Sequence, residues 1–219
     1  MKFKGVIFDL DGVITDTAEY HYIAWKDLAI KIGIEIDREF NETLKGISRG
    51  ESLERILIKG KKENTYTQDE KDKLAKSKND YYLTLLEELT PNDVLENIAE
   101  TLQYLKEKDM KIALASASKN APLILDKLEL TNYFDVIVDP TSVKAGKPAP
   151  DIFLEGARLI GLDPKDCIGV EDSEAGVVSI NDSNMFSIGI GSVENLGHAN
   201  TVIPSTSTLK NTIEELLIG

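Results

Sequence analysis

The chain has 219 residues, 42% of them hydrophobic, which suits one large domain or two unequal ones with a genuine core. A formal net charge of −13 argues against nucleic acid or an anionic membrane as partner, so a site for an anionic substrate has to be a local positive exception. A lone Cys167 excludes an intramolecular disulfide. With no apolar run near the ~18 residues of a membrane helix and no signal-peptide core, the expectation is a cytoplasmic protein.

The first element is the short apolar run Phe3-Lys4-Gly5-Val6-Ile7-Phe8, closed by Asp9-Leu10-Asp11-Gly12. It reads as a buried strand. Strand alternation puts Asp9 and Asp11 on one side of its end, where two carboxylates repel each other. A cation between them, or a proton on one, relieves this, and oxygen ligands point to Mg²⁺.

From Asp16 to about Pro91 the pattern is helical. The first helix is expected to be capped by Asp16 with Glu19 at its third position, to carry an apolar stripe of Ala18, Tyr22, Trp25, Ala29 and Ile32, and to end at Gly33. Further helices are predicted near residues 38–44, 52–58 and 68–89, with residues 59–64 a solvated loop. After Pro91 helices and short apolar runs alternate: helix 98–108, strand 111–115, helix 121–128, strand 134–138, helix 150–160, strand 167–170, helix 175–183 and strand 186–190. Cys167 falls on one of these strands as a small buried hydrophobe. Such alternation means crossovers and a doubly wound, Rossmann-like parallel sheet. The expected fold is therefore α/β, with a core of residues 1–15 and 92–219 interrupted by an inserted all-helical domain of residues 16–91.

Sites in parallel sheets form at the C-terminal strand ends. The first predicted strand is followed by Asp9 and Asp11, the second by Ser116-Ala117-Ser118-Lys119, a later connection holds Lys144-Ala145-Gly146-Lys147-Pro148, and the fourth strand leads into Glu171-Asp172-Ser173. The collected set is four carboxylates, a hydroxyl and a lysine. Lys147-Pro148 is also a position where a cis peptide is admissible.

Those four stations, in that order, resemble the haloacid dehalogenase-type superfamily of aspartate-nucleophile phosphotransferases, over essentially the whole chain. Asp9-Leu10-Asp11-Gly12-Val13 is similar to its first motif, Ser116 to its second, Lys147 to its third and Glu171-Asp172 to its fourth. Residues 11–21, Leu44-Lys45-Gly46-Ile47-Ser48-Arg49, residues 113–120, 147–153 and 171–176 are similar to the sugar-phosphate mutases of that superfamily. The resemblance implies interconversion of β-D-glucose 1-phosphate and glucose 6-phosphate through an aspartyl-phosphate and β-glucose 1,6-bisphosphate. It also implies Mg²⁺ as cofactor, small sugar phosphates as the only partners, a monomer, and a helical insertion that serves as a mobile cap.

The resemblance also distributes roles. Asp9 would be the nucleophile and Asp11 the general acid–base, whose backbone carbonyl rather than carboxylate meets the metal. Glu171 and Asp172 would complete the metal environment with Asp9. Ser116 and Lys147 would hold the transferring phosphate, with Ala117, Ser118 and Asn120 adding donors. On the cap, Arg49 and Lys45 would take the non-reacting phosphate, and Gly46 would serve a hinge or close approach. Thr17 and His21 would lie in the substrate site, His21 coupling substrate arrival to Asp11, and Trp25 and Lys78 would approach the sugar. The nearest rival is a sugar-phosphate phosphatase on the same scaffold. A phosphoryl-receiver module is opposed by the long insertion after the first strand and by the order of the four stations.

Overall fold

Val6, Ile7 and Phe8 have no solvent exposure, because their strand runs down the middle of a sheet covered on both faces. The computed structural model describes residues 2–218. The sheet consists of β1 (Gly5–Phe8), β2 (Lys111–Leu114), β3 (Val136–Ile137), β4 (Cys167–Glu171), β5 (Phe186–Ile190) and β6 (Thr201–Ile203). Its order is β3-β2-β1-β4-β5-β6, with every pairing parallel. The order reverses between β1 and β4, and a crevice opens outside the strand ends at such a switch point.

Between β1 and β2 the chain forms α1 (Ala18–Lys31), α2 (Arg38–Glu42), α3 (Arg49–Lys59), α4 (Gln68–Leu85) and α5 (Ile98–Glu107). The later crossovers supply α6 (Ala121–Lys127), α7 (Asp151–Leu159), α8 (Glu174–Asp182), α9 (Val193–Leu196) and α10 (Leu209–Ile218). Val6 and Phe8 face a cluster with Leu102 of α5, Ile124 of α6 and Ile213 of α10. Ile7 points the other way, against Phe153 and Ala157 of α7 and Ile180 of α8. That alternation is the doubly wound sheet expected from the sequence.

Helices α1 to α4 bury a separate cluster that includes Trp25, Leu28, Leu53, Ile56 and Leu57. Tyr82 at the end of α4 instead joins the sheet-side cluster. The two connections between insertion and sheet run side by side: Thr15 bridges Val94, and the Leu95 N–H donates to the Ile14 carbonyl at 2.9 Å. No helix among the described residues is long and apolar enough to cross a membrane.

Where the elements differ from expectation, local chemistry explains it. Helix α3 starts at Arg49 because Ser48 accepts the Glu51 N–H, and Thr67 and Glu70 form a reciprocal box at the start of α4. The Asp16–Glu19 cap does not form. Helix α1 begins at Ala18, whose N–H donates to Asp16 Oδ1 at 2.9 Å, while Glu19 is drawn to Arg38. Thr17, at the cap position, has its hydroxyl committed elsewhere. The predicted strand 134–138 shrinks to two residues, and β6, α9 and α10 lie beyond Ile190, where the sequence reading stops.

Candidate active site

Past Phe8 the backbone leaves the strand. The N–H groups of Ile14 and Thr15 donate to the Leu10 carbonyl at 2.8 and 3.2 Å, and Gly12 adopts φ +72°. This turn parts the two aspartates. Asp9 stays on the floor of the crevice, 2.7 Å from Lys147 Nζ. The Asp11 carboxylate swings to the start of α1, where Oδ1 accepts the Thr17 N–H at 3.3 Å and the Thr17 hydroxyl. The expected same-side pairing of the two carboxylates, relieved by a cation between them or a proton on one, is thus corrected. Alternation ends with the strand, and the turn gives each aspartate its own partner.

Carboxylate oxygens of Asp9, Glu171 and Asp172 lie within 4.8 Å of one another, and the Asp11 carboxylate is not among them. Glycine makes the crowding sterically feasible: a Cβ at Gly12 would overlap Asp172, and one at Gly176 would overlap Glu171. Burial, outweighing the nearby Lys147, pushes Asp9 up to about 7. Burial, with Glu171 and Asp9 beside it, pushes Asp172 well above the usual carboxylate range. Burial alone would lower Lys147, but Asp9 and Glu171 outweigh it and hold the ammonium protonated.

One ammonium against three convergent carboxylates leaves the floor short of positive charge. A donor set of hard oxygens fits Mg²⁺. Glu171 is the most heavily bonded of the three: Oε1 takes Lys147 at 2.6 Å, and Oε2 takes the Asp172 N–H, the Ser173 N–H and the Ser173 hydroxyl at 2.8, 2.7 and 2.9 Å. Asp9 and Asp172 keep oxygens free for a metal.

The phosphate side of the floor follows β2. Ser116 Oγ accepts the Ser118 N–H at 3.1 Å and Ser118 Oγ accepts the Asn120 N–H at 3.2 Å, so the loop folds back on itself. The Ser116 hydroxyl proton remains available to an anion. The Lys147–Pro148 peptide is cis.

A cavity of about 550 Å³ stands over this floor. Asp9, Asp11, Ser116, Ala117, Ser118 and Asp172 line it from below, and His21, Trp25, Lys45, Gly46, Arg49 and Lys78 from the insertion. Four expected site residues stand behind the surface instead. Lys147 and Glu171 form the buried pair beneath Asp9. Thr17 is wholly buried between Asp11 and Tyr82, and Asn120 gives its amide to Asn79 at 2.9 Å. Direct substrate contact is therefore corrected for Thr17, whose hydroxyl is spent on Asp11 and Tyr82, whereas Asn120 has given one amide hydrogen to Asn79.

The insertion brings the positive charge the composition required. Lys78 is buried, with Nζ 4.7 Å from the Trp25 ring centre and 4.6 Å from that of Tyr82. Burial and the Arg49 charge lower its ammonium to about 7. Burial, then Lys78 and Arg49, keep His21 well below its usual value, so the imidazole is neutral. Lys78 has a proton to donate in either charge state, and its Nζ is 2.8 Å from His21 Nδ1. When Lys78 carries its charge it can only donate to Nδ1, and the His21 hydrogen then sits on Nε2, which faces Asp11 Oδ2 at 3.9 Å. Arg49 forms no salt bridge among the described residues, whereas Lys45 lies 2.8 Å from Glu42. At Gly46, φ is +72° and a Cβ would overlap Ser173, so here the insertion backbone touches the loop after β4.

Sequence reasoning missed Tyr82 and Asn79. Tyr82 lies four positions after Lys78, on the same helix face, and that spacing was the available signal. It also passed over Pro140 and Thr141, which line the cavity after β3.

A family model described as haloacid dehalogenase-like hydrolase matches residues 3–184. The chain belongs to the haloacid dehalogenase-like family. A β-phosphoglucomutase of Bacillus subtilis is 51% identical over 94% of this chain and 91% of its own length. The crystal structure of a β-phosphoglucomutase from Clostridium difficile is similar with a TM-score of 0.95 at 50% identity, covering 97% of this chain and 96% of that one. A phosphorylated carbohydrates phosphatase of Thermotoga maritima is 28% identical over 98% of this chain and 96% of its own.

Chemically, this haloacid dehalogenase-like site offers a floor carboxylate with one free oxygen and a second carboxylate turned aside with its own hydroxyl partner. It also offers hydroxyl and ammonium groups beside the floor, and cations on the opposite wall. Phosphoryl transfer needs that combination: in-line placement, cancellation of negative charge and a proton carrier.

Proposed function

We propose that the chain is a β-phosphoglucomutase, interconverting β-D-glucose 1-phosphate and glucose 6-phosphate through β-glucose 1,6-bisphosphate. One observation carries this reading: a single cavity has Ser116 at its floor, above the buried Lys147, and Arg49 and Lys45 on its opposite wall. A phosphatase needs only the floor. A mutase must grip a second phosphate while the first reacts, and the free guanidinium of Arg49 suits that bidentate task. The identity to the Bacillus subtilis β-phosphoglucomutase supports the same reading.

In this mechanism Asp9 carries the phosphoryl group. Asp11 takes the proton of the sugar's 6-hydroxyl as that oxygen attacks phosphorus and the bond to Asp9 breaks. After the bisphosphate turns over, Asp9 attacks the phosphorus of the 1-phosphate and Asp11 returns the proton to the departing sugar oxygen. Burial raises the Asp11 carboxyl above the ordinary carboxylate value, the direction that suits a group that both takes and gives a proton. Asp9, Asp172 and the Asp11 carbonyl, with Glu171 completing the environment, are the groups assigned to Mg²⁺, which when bound would neutralise charge on the phosphoryl oxygens. Glu171 also fixes Lys147 and the loop after β4.

Residues 16–91 act as a mobile cap that excludes water from the aspartyl-phosphate, and the paired Thr15–Val94 crossing is its hinge. A monomer suffices, since one chain lines the whole cavity. A cytoplasmic setting agrees with sugar-phosphate substrates and with a lone buried Cys167, whose thiol burial pushes up to about 12. The test is Asp9→Asn, which should keep the fold and lose interconversion of the two glucose phosphates. Near-wild-type turnover would remove Asp9 from the mechanism.

A further inference from the structure

Tyr82 is wholly buried, and its hydroxyl lies 2.8 Å from Thr17 Oγ1. The same Thr17 oxygen is hydrogen-bonded to Asp11 Oδ1. An ionised carboxylate can only accept, so Thr17 spends its single proton on Asp11 and has only lone pairs left for Tyr82. The direction of the chain follows: the Tyr82 O–H donates to Thr17, and Thr17 donates to Asp11. Burial and the Asp11 charge raise the phenol above its ordinary value, so it keeps the proton it donates. The ring has further neighbours, with the His21 ring centre at 4.1 Å and Lys78 over its face. Packing accounts for the ring, which belongs to the sheet-side apolar cluster. Packing does not require the hydroxyl.

We propose that Tyr82 is a positioning residue for phosphoryl transfer: its hydroxyl commits Thr17 as a donor and so holds the Asp11 carboxylate in one orientation. Hydrogen bonds in series polarise one another, so the outer donor strengthens the inner bond. The inference rests on the reading of Asp11 as the acid–base and adds a residue to it.

The test is a mutant cycle read as kcat and KM for β-glucose 1-phosphate, with melting temperatures checking the fold. Tyr82→Phe keeps the ring and should lower kcat by about three- to tenfold, the range one neutral hydrogen bond supplies, with KM unchanged. In a Thr17→Val background, where the chain is already cut, Tyr82→Phe should have no further effect on kcat. In a Thr17→Ser background, where the hydroxyl is restored, its effect should return. The same loss of kcat in the Thr17→Val background would make Tyr82 a packing residue and overturn the proposal, as would an unchanged kcat in Tyr82→Phe alone. Asp11→Asn separates the two levels. If it turns over normally, the acid–base reading itself fails; if it is inactive while the cycle is additive, only the role of Tyr82 fails.

Discussion

Lys147 Nζ lies 2.7 Å from Asp9 Oδ1, with the lysine side chain fully enclosed and that of the aspartate 7% exposed. An ammonium so placed keeps the nucleophile in position and offsets the charge of Glu171 behind it. Removing one partner of a buried ion pair leaves an uncompensated charge and costs about 3–5 kcal/mol. Lys147→Met should therefore abolish turnover and also lower the melting temperature by more than about 6 °C, at roughly 2–4 °C per kcal/mol for a chain of this size. Thermal denaturation checks it. An inactive variant with unchanged melting would mean that the pair matters for catalysis alone.

The floor carboxylates should make the metal-free protein pH-sensitive in a defined direction. Asp9, Asp11 and Asp172 all have folded values above their unfolded ones, Asp9 rising from 3.8 to about 7. The folded state then binds more protons between those values, so these groups favour folding at low pH and cost stability as pH rises towards 7. Asp172→Asn removes one of the repelling charges. In chelator it should melt at least about 2 °C above wild type at pH 7, with the gap closing towards pH 4. Added Mg²⁺ should stabilise wild type and have little effect on the variant. A variant gap that grows as pH falls would reverse the sign and refute the assignment.

Asp11→Asn should separate proton transfer from metal binding, because the Asp11 carboxylate stands outside the convergent oxygens. Turnover should fall by about 10²–10⁴, the usual scale of general acid–base catalysis. Mg²⁺ affinity, measured by calorimetry, should be largely kept. Collapse of metal binding would make the side chain a ligand.

Much of the site was legible because three of the four stations directly follow a short apolar strand and the fourth, Lys147, lies in a strand-to-helix connection. Asp9, Ser116, Lys147 and Glu171-Asp172 could be gathered at one sheet edge with no knowledge of packing. The direction of Asp11 was not legible, since it depends on a turn whose hydrogen bonds converge on Leu10. The Asp16 cap failed for a related reason: the neighbouring Thr17 is held by tertiary partners, Asp11 and Tyr82. Tyr82 was missed because a buried tyrosine on an amphipathic helix reads as core, and only the fold shows where its hydroxyl ends. Asn120 sits in a motif that suggests phosphate contact, and only the fold shows that it also gives one amide hydrogen to Asn79.

Arg49→Ala should distinguish gripping a second phosphate from general attraction. Each charge-assisted hydrogen bond lost costs ~1.5–3 kcal/mol, so mutase turnover should fall at least about tenfold. A cap held less firmly admits water, so the share of phosphate released as inorganic phosphate should hold steady or rise. Unchanged turnover would assign Arg49 to the surface.

A phosphate balance tests the central claim most directly. The wild-type enzyme, given Mg²⁺, a trace of β-glucose 1,6-bisphosphate and either anomer of glucose 1-phosphate, is followed for glucose 6-phosphate and inorganic phosphate together. The β-anomer should be converted to glucose 6-phosphate almost mole for mole, with little free phosphate, and the α-anomer should be a poor substrate. One free phosphate per sugar consumed, with no glucose 6-phosphate formed, would make the protein a phosphatase.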